Sequence, residues 1–229
     1  MSDTFRDEFV HSHQILELIS AYTEEAKERH GDAEFETAAE YYTAAGYGEL
    51  MLCKQLPDHA DTGDVTLPSA SPLARLGYGM KRLLAACLCY RLAGRPARCQ
   101  NLSERARLTL TDNSEWLFTE RPKVGLCHEI RGDFMIVAGN EDFHAAYDTA
   151  ALQYEDIESD FGWQMEDGFG DFTQIVEELA ADVGYDLPDD VTELVYKNSL
   201  DERIEYKRTH FPDIIDRVIA SGNWNSDVL

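Results

Sequence analysis

Apolar residues recur every three to four positions along almost the whole chain, which is the spacing of helices that bury one face. This pattern predicts helices over 4–29, 33–53, 72–93, 96–110, 121–138, 141–159, 171–183 and 188–197. A short helix beginning at the capping-box pattern Ser199-x-x-Glu202 and a last helix from Pro212 to about Gly222 complete the set. A strand-like pattern occurs at 65–67, which is too short to build a sheet. The sequence therefore predicts an all-α fold.

Proline and glycine mark several of the predicted helix ends. Ser71 stands directly before Pro72, so that a capping hydroxyl is followed by a proline at the first helical position. Gly94 and Pro96 predict a tight turn between two helices. Residues 57–71 are rich in proline, glycine and aspartate, which is typical of a surface loop.

A glycine-rich break containing Gly162, Gly168 and Gly170 divides the helical pattern. We expect a helical-hairpin domain over 1–160 and a C-terminal helical extension over 161–229 that packs on it.

Residues 82–106 form one unit of helix, glycine turn and helix. Tyr90 fills the space between the two helices. Small residues occupy the positions where the helices approach most closely: Ala86, Cys87, Cys99 and Ala106.

This unit resembles a tetratricopeptide (TPR) repeat, with Tyr90, Gly94, Cys99 and Ala106 at the signature positions. A second unit covers 132–150. A weaker third involves Tyr22, Ala26, Ala38, Tyr42 and Ala45. The resemblance extends over about 15–155 and implies a stack of antiparallel helical hairpins that binds other proteins. The units are spaced irregularly, so a plain helical bundle with alanine at its crossings is the alternative.

The chain is strongly acidic, with 44 Asp and Glu against 20 Lys and Arg and a formal net charge of −24. Lysine is scarce beside arginine. This composition resembles that of proteins from salt-in halophiles, where molar salt screens the repulsion between carboxylates. A protein that binds basic partners or mimics nucleic acid in ordinary cytoplasm is the alternative.

The basic residues are concentrated in 75–107, where Glu104 is the one acidic residue, while 132–229 is strongly acidic. Arginine binds carboxylate and phosphate groups in a bidentate manner. The candidate partner-binding residues are Arg82, Arg91, Arg95, Arg98 and Arg105. They predict a non-catalytic adaptor that binds a protein or an acidic peptide in a helical groove. As the alternative, these arginines pair with the acidic C-terminal part of the same chain or of a second copy.

An all-α enzyme is the second functional hypothesis. Arg203-x6-His210 has the loose Arg–His spacing of the HEPN ribonucleases. A metal-dependent helical protein is suggested by two Glu-x-x-His pairs, Glu8/His11 and Glu141/His144. Neither pattern is specific, so the sequence predicts no catalytic residue, no cofactor and no metal site.

The five cysteines lack metal-ligand spacing, and we expect them to be reduced core residues. No apolar run is long enough to span a membrane, and the acidic N-terminus lacks the pattern of a secretory signal. We therefore expect a cytoplasmic protein without a membrane partner. Nucleic-acid binding is disfavoured because electrostatic attraction to phosphates weakens steeply with salt, whereas self-association remains open.

Overall fold

The computed structural model of the chain describes residues 3–55, 71–116, 118–157, 170–186 and 200–225. In this part of the chain every regular element is a helix, which confirms the predicted all-α fold. The helices are α1 (Asp3–Gly31), α2 (Phe35–Gln55), α3 (Pro72–Leu92), α4 (Pro96–Trp116), α5 (Arg121–Val137), α6 (Phe143–Tyr154), α7 (Gly170–Asp182) and α8 (Leu200–Ser221). The stretch 65–67 and the helix predicted over 188–197 lie outside the described residues.

Three predicted helix boundaries need correction. The helix predicted over 141–159 ends at Tyr154, where the chain turns and Asp156 adopts a positive φ. The helix α4 continues to Trp116 rather than ending near residue 110. The break predicted at Pro212 is wrong, because α8 runs through this proline. Proline removes one backbone hydrogen bond and normally interrupts a helix. Here Phe211 and Ile214 on either side are fully buried, and their packing holds the helix together across Pro212.

The turns α1–α2, α3–α4 and α5–α6 close in the same way. Each has a residue with positive φ: Ala33, Gly94 and Gly139. At the α3–α4 turn the amide of Gly94 donates to Arg91 O and the next amide donates to Tyr90 O. The α5–α6 turn repeats both bonds, which satisfy the last carbonyl groups of the preceding helix. Short turns of this kind make successive helices antiparallel.

Successive helices from α1 to α6 pack against one another, so that they form a stack of hairpins. The helices α7 and α8 lie across this stack: α7 contacts α3, and α8 contacts α3, α5 and α6. Buried residues from α1 to Trp224 join in one large hydrophobic core, and a smaller cluster lies between α1 and α2. The side of the stack formed by α3 and α5 is therefore covered by the C-terminal helices.

The end of α8 returns to the first hairpin. The ring of Trp224 packs on His30 at the end of α1, with their centroids 4.2 Å apart. His30 Nε2 lies 3.0 Å from Asn223 Oδ1, and the Asn225 amide donates to Asp182 on α7. This contact joins the first hairpin of the stack to its last helices.

None of the helices in the described part is both long and apolar enough to cross a lipid bilayer.

Candidate functional site

Arg82 binds other residues inside the fold. The buried carboxylate of Glu49 on α2 lies 2.8 Å from Arg75 Nη1 and 3.2 Å from Arg82 Nη1. Arg82 Nε also donates to Thr23 Oγ1 on α1 at 3.1 Å. Burial lowers the pKa of Arg82, against the opposing effect of Glu49. These contacts join three helices, so Arg82 is a structural residue in this arrangement.

Arg91 also serves the fold. Its Nη1 donates to the carbonyl oxygen of Val137 at 3.1 Å. Val137 is the last residue of α5, where unpaired carbonyl groups and the helix dipole favour a positive charge. Arg91 therefore links the end of α3 to the end of α5.

Arg95 and Arg98 lie at the surface, where they bind glutamates of α2. Arg95 Nη2 is 2.9 Å from Glu36, and Arg98 Nη1 is 3.0 Å from Glu40. For these two arginines the alternative of pairing with the acidic C-terminal part of the same chain is wrong, because their partners lie on α2. Arg105 is exposed and has no acidic partner among the described residues.

Three of the five predicted arginines thus remain at the surface, and two of them share a stripe on α4. The stripe consists of Arg98, Asn101, Arg105 and Leu108, which follow one another at helical spacing. All four are exposed, and Leu108 exposes 56% of its surface. We call these four residues the α4 stripe. Beside it lies a polar cleft of about 650 Å³ between α4 and the α5–α6 turn.

A second charged site, which the sequence did not predict, lies inside the protein. Two carboxylates on α5, two tyrosines on α6 and two cations on α8 form a buried network: Glu129, Asp133, Tyr147, Tyr154, Arg203 and Lys207. The two carboxylates are one helical turn apart, and so are the two cations. The two negative and the two positive charges balance within the core.

Glu129 is the most highly connected member of the network. Its Oε2 accepts from Arg203 Nη2 at 2.6 Å and from the Tyr154 hydroxyl at 2.8 Å. Its Oε1 lies 2.9 Å from Lys207 Nζ. Burial alone would raise the pKa of Glu129, but the charges of Arg203 and Lys207 outweigh it and lower the pKa to about 2.

Asp133 binds the other side of the network. Its Oδ2 accepts from Lys207 Nζ at 2.6 Å, and its Oδ1 accepts from the Tyr147 hydroxyl at 2.6 Å. Burial raises the pKa of Asp133, against the opposing charge of Lys207, and the charge of Glu129 raises it further. Asp133 therefore takes up a proton at a higher pH than Glu129.

Glycines on α5 make room for the two tyrosines. A Cβ atom added at Gly132 would overlap Tyr147 Cε1, and one added at Gly125 would lie 2.5 Å from Tyr154 Cε1. The two glycines are seven residues apart, as are the two tyrosines. This spacing places one ring over each glycine and lets α5 and α6 approach closely.

The residues of the ribonuclease hypothesis have separate partners. Arg203 is 3% exposed and is bound to Glu129 and Tyr154. His210 Nδ1 lies 3.0 Å from the Tyr185 hydroxyl. With these contacts Arg203 belongs to the buried network and does not reach a phosphate at the surface.

The residues of the metal hypothesis are not gathered into a site in the described part, where no group of three or more histidine, cysteine, aspartate and glutamate side chains could hold a metal. The side chains of Glu8 and His11 lie outside the described residues. The five cysteines are buried thiols, as expected.

Comparisons with known proteins found no match to a family model, to a curated protein or to a solved structure.

Proposed function

We propose that this protein is a non-catalytic cytoplasmic adaptor that binds an acidic segment of a partner protein on the α4 stripe. The observation that carries the proposal is the division among the predicted arginines. Arg82 and Arg91 are used within the fold, whereas Arg98 and Arg105 face solvent two helical turns apart. The proposal moves the binding surface from a groove to the outer face of α4, because α7 and α8 cover α3 and α5.

The chemistry of the stripe favours a carboxylate-bearing segment. Two guanidinium groups at i and i+7 match acidic side chains spaced by two turns of a docked helix. Leu108, at the end of the stripe, offers an apolar contact that salt does not screen. A surface with both kinds of contact retains affinity in concentrated salt, where charge attraction alone is weak.

The experiment is a pull-down of the tagged full chain from its native cytoplasm at molar salt, scored for protein, RNA and metal. The wild type is compared with Arg98→Glu/Arg105→Glu and with Arg217→Glu, an arginine reversal on the exposed face of α8. We expect one stoichiometric protein partner that the double variant loses and the α8 control retains.

Three outcomes contradict the proposal. They are equal capture by the double variant, recovery of further copies of the chain alone, and recovery of RNA or metal in stoichiometric yield. Circular dichroism of each variant separates loss of binding from loss of folding.

A further inference from the structure

Two arginines face each other where α4 and α5 pack together. Ser103 Oγ on α4 donates to Phe134 O on α5 at 3.0 Å, which fixes the register of the two antiparallel helices. One turn further along α4 stands Arg107, and one turn back along α5 stands Arg131. The two are close enough that the charge of Arg107 adds to burial in lowering the pKa of Arg131.

The partners of these arginines leave one positive charge without a counter-charge. Arg107 Nη1 donates to Glu104 at 2.8 Å. Arg131 Nη1 lies 3.1 Å from His128 Nδ1 and, among the described residues, has no carboxylate within ion-pair distance. Burial and the charge of Arg131 lower the pKa of His128 to about 4, so this imidazole is neutral near pH 7.

The same contacts leave hydrogen-bond donors at this place. In the described part of the chain, neither Arg107 Nε nor Arg131 Nε has a hydrogen-bond partner, although both atoms are buried. Because Arg131 donates to His128 Nδ1, the imidazole proton is held on Nε2, which becomes a further donor on the same face of α5. Buried donors are nearly always paired in folded proteins.

We propose that the protein binds a phosphate group between Arg107 and Arg131, where α4 and α5 pack together. A phosphate offers several acceptor oxygens and a negative charge, which suits two guanidinium groups and an imidazole N–H. It would neutralise the uncompensated charge and accept from the guanidinium Nη groups and from His128 Nε2. The site is independent of the α4 stripe, and it requires neither Arg98 nor Arg105.

Substitutions at Glu104 and at Arg131 should change the affinity for phosphate in opposite directions. Its carboxylate holds Arg107 and competes with an incoming anion. We expect Glu104→Gln to bind phosphate more tightly than the wild type. Arg131→Gln removes a charge-assisted donor and should weaken binding at least about tenfold. Arg217→Gln is the matched control, since this exposed arginine on α8 belongs neither to the site nor to the α4 stripe.

The experiment titrates inorganic phosphate into the full chain and follows the Nε–Hε resonances of arginine by NMR, at constant ionic strength maintained with chloride. We expect the Arg107 and Arg131 resonances to shift in a saturable way in the wild type and in Arg217→Gln. Phenyl phosphate serves as a second probe, and binding of it alone would identify an organic phosphate as the ligand.

The proposal is overturned if neither inorganic phosphate nor phenyl phosphate shifts the two resonances, if chloride alone produces the same shifts, or if Arg131→Gln binds the phosphate probe like the wild type. The resonances of the wild type decide the question even if Arg131→Gln fails to fold.

Discussion

The protein arranges charge in opposite ways in two regions. Between α5, α6 and α8, two carboxylates and two cations are buried together, and two tyrosine hydroxyls complete their hydrogen bonds. Between α2 and α4, Arg95 and Arg98 meet Glu36 and Glu40 at the surface, with half of each arginine side chain in solvent. The partners in both regions are within hydrogen-bond distance.

The difference lies in what breaking each contact would expose. Removing one partner from the buried network leaves an uncompensated charge in the core, which is costly. Removing one partner from a surface pair returns the other to water and salt, which costs little. Charge inside this protein therefore specifies how α8 packs, whereas charge on α4 remains free to exchange its partner for another.

The largest expected effect is at Glu129. Glu129→Gln keeps the volume of the side chain but leaves Arg203 and Lys207 with one carboxylate between them. We expect the free energy of unfolding to fall by about 3–5 kcal/mol. Urea denaturation of both chains at the same salt concentration measures it. A loss below about 1 kcal/mol would mean that the network does not depend on Glu129.

Acid should remove the same stabilisation. The pKa of Glu129 is about 2 in the folded protein and 4.5 ordinarily, so its contribution is present above pH 4.5 and lost as the pH falls towards 2. This shift corresponds to roughly 3 kcal/mol. We expect the difference in unfolding free energy between wild type and Glu129→Gln to shrink towards zero over that interval. A difference independent of pH would contradict the assigned pKa.

A smaller effect is expected at Gly132, where the network needs space rather than charge. Gly132→Ala places a methyl group against the Tyr147 ring and should cost about 1–3 kcal/mol. Gly31→Ala is the matched control, because nothing lies within 4 Å of its added Cβ. Thermal unfolding of both variants makes the comparison. Equal melting temperatures would show that α5 and α6 do not pack as closely as described.

The smallest effect is expected at the surface. Glu36→Gln removes the ion pairs with Arg95 and Arg98, but Arg95 returns to solvent and Arg98 keeps its contact with Glu40. We expect an unchanged denaturation midpoint at molar salt, measured alongside Glu129→Gln. A clear loss of stability in Glu36→Gln would remove the distinction between the two regions.

Local sequence signals predicted much of the fold. Ser71 accepts from the Ala74 amide and caps α3, as the Ser-Pro pair indicates, and Gly94 adopts the positive φ of the predicted turn. These signals depend on neighbours in the chain. The continuity of α8 through Pro212 depends on tertiary packing instead, and for that reason the local rule failed there. The resemblance to TPR repeats stays a prediction.

The buried network could not be predicted from local signals. Charged residues are usually exposed, and a carboxylate pair or a cation pair one turn apart is typical of a solvated helix face. The pairs Glu129–Arg203 and Asp133–Lys207 each join residues 74 positions apart in the chain. The available signal was the position of Glu129 and Asp133 among the apolar residues Leu126, Ile130 and Phe134. The roles of Arg82 and Arg91 likewise depend on contacts with other helices, which only the folded structure brings next to α3.

The central claim is that α8 is fixed inside the fold while α4 presents the binding surface. Hydrogen exchange of the full chain, with and without the partner recovered in the pull-down, tests it most directly. We predict that the partner slows amide exchange on the exposed part of α4, around 98–108. The amides of α8 should exchange as slowly as those of the core, with or without the partner. Faster exchange along α8 on partner binding, with α4 unchanged, would contradict the account.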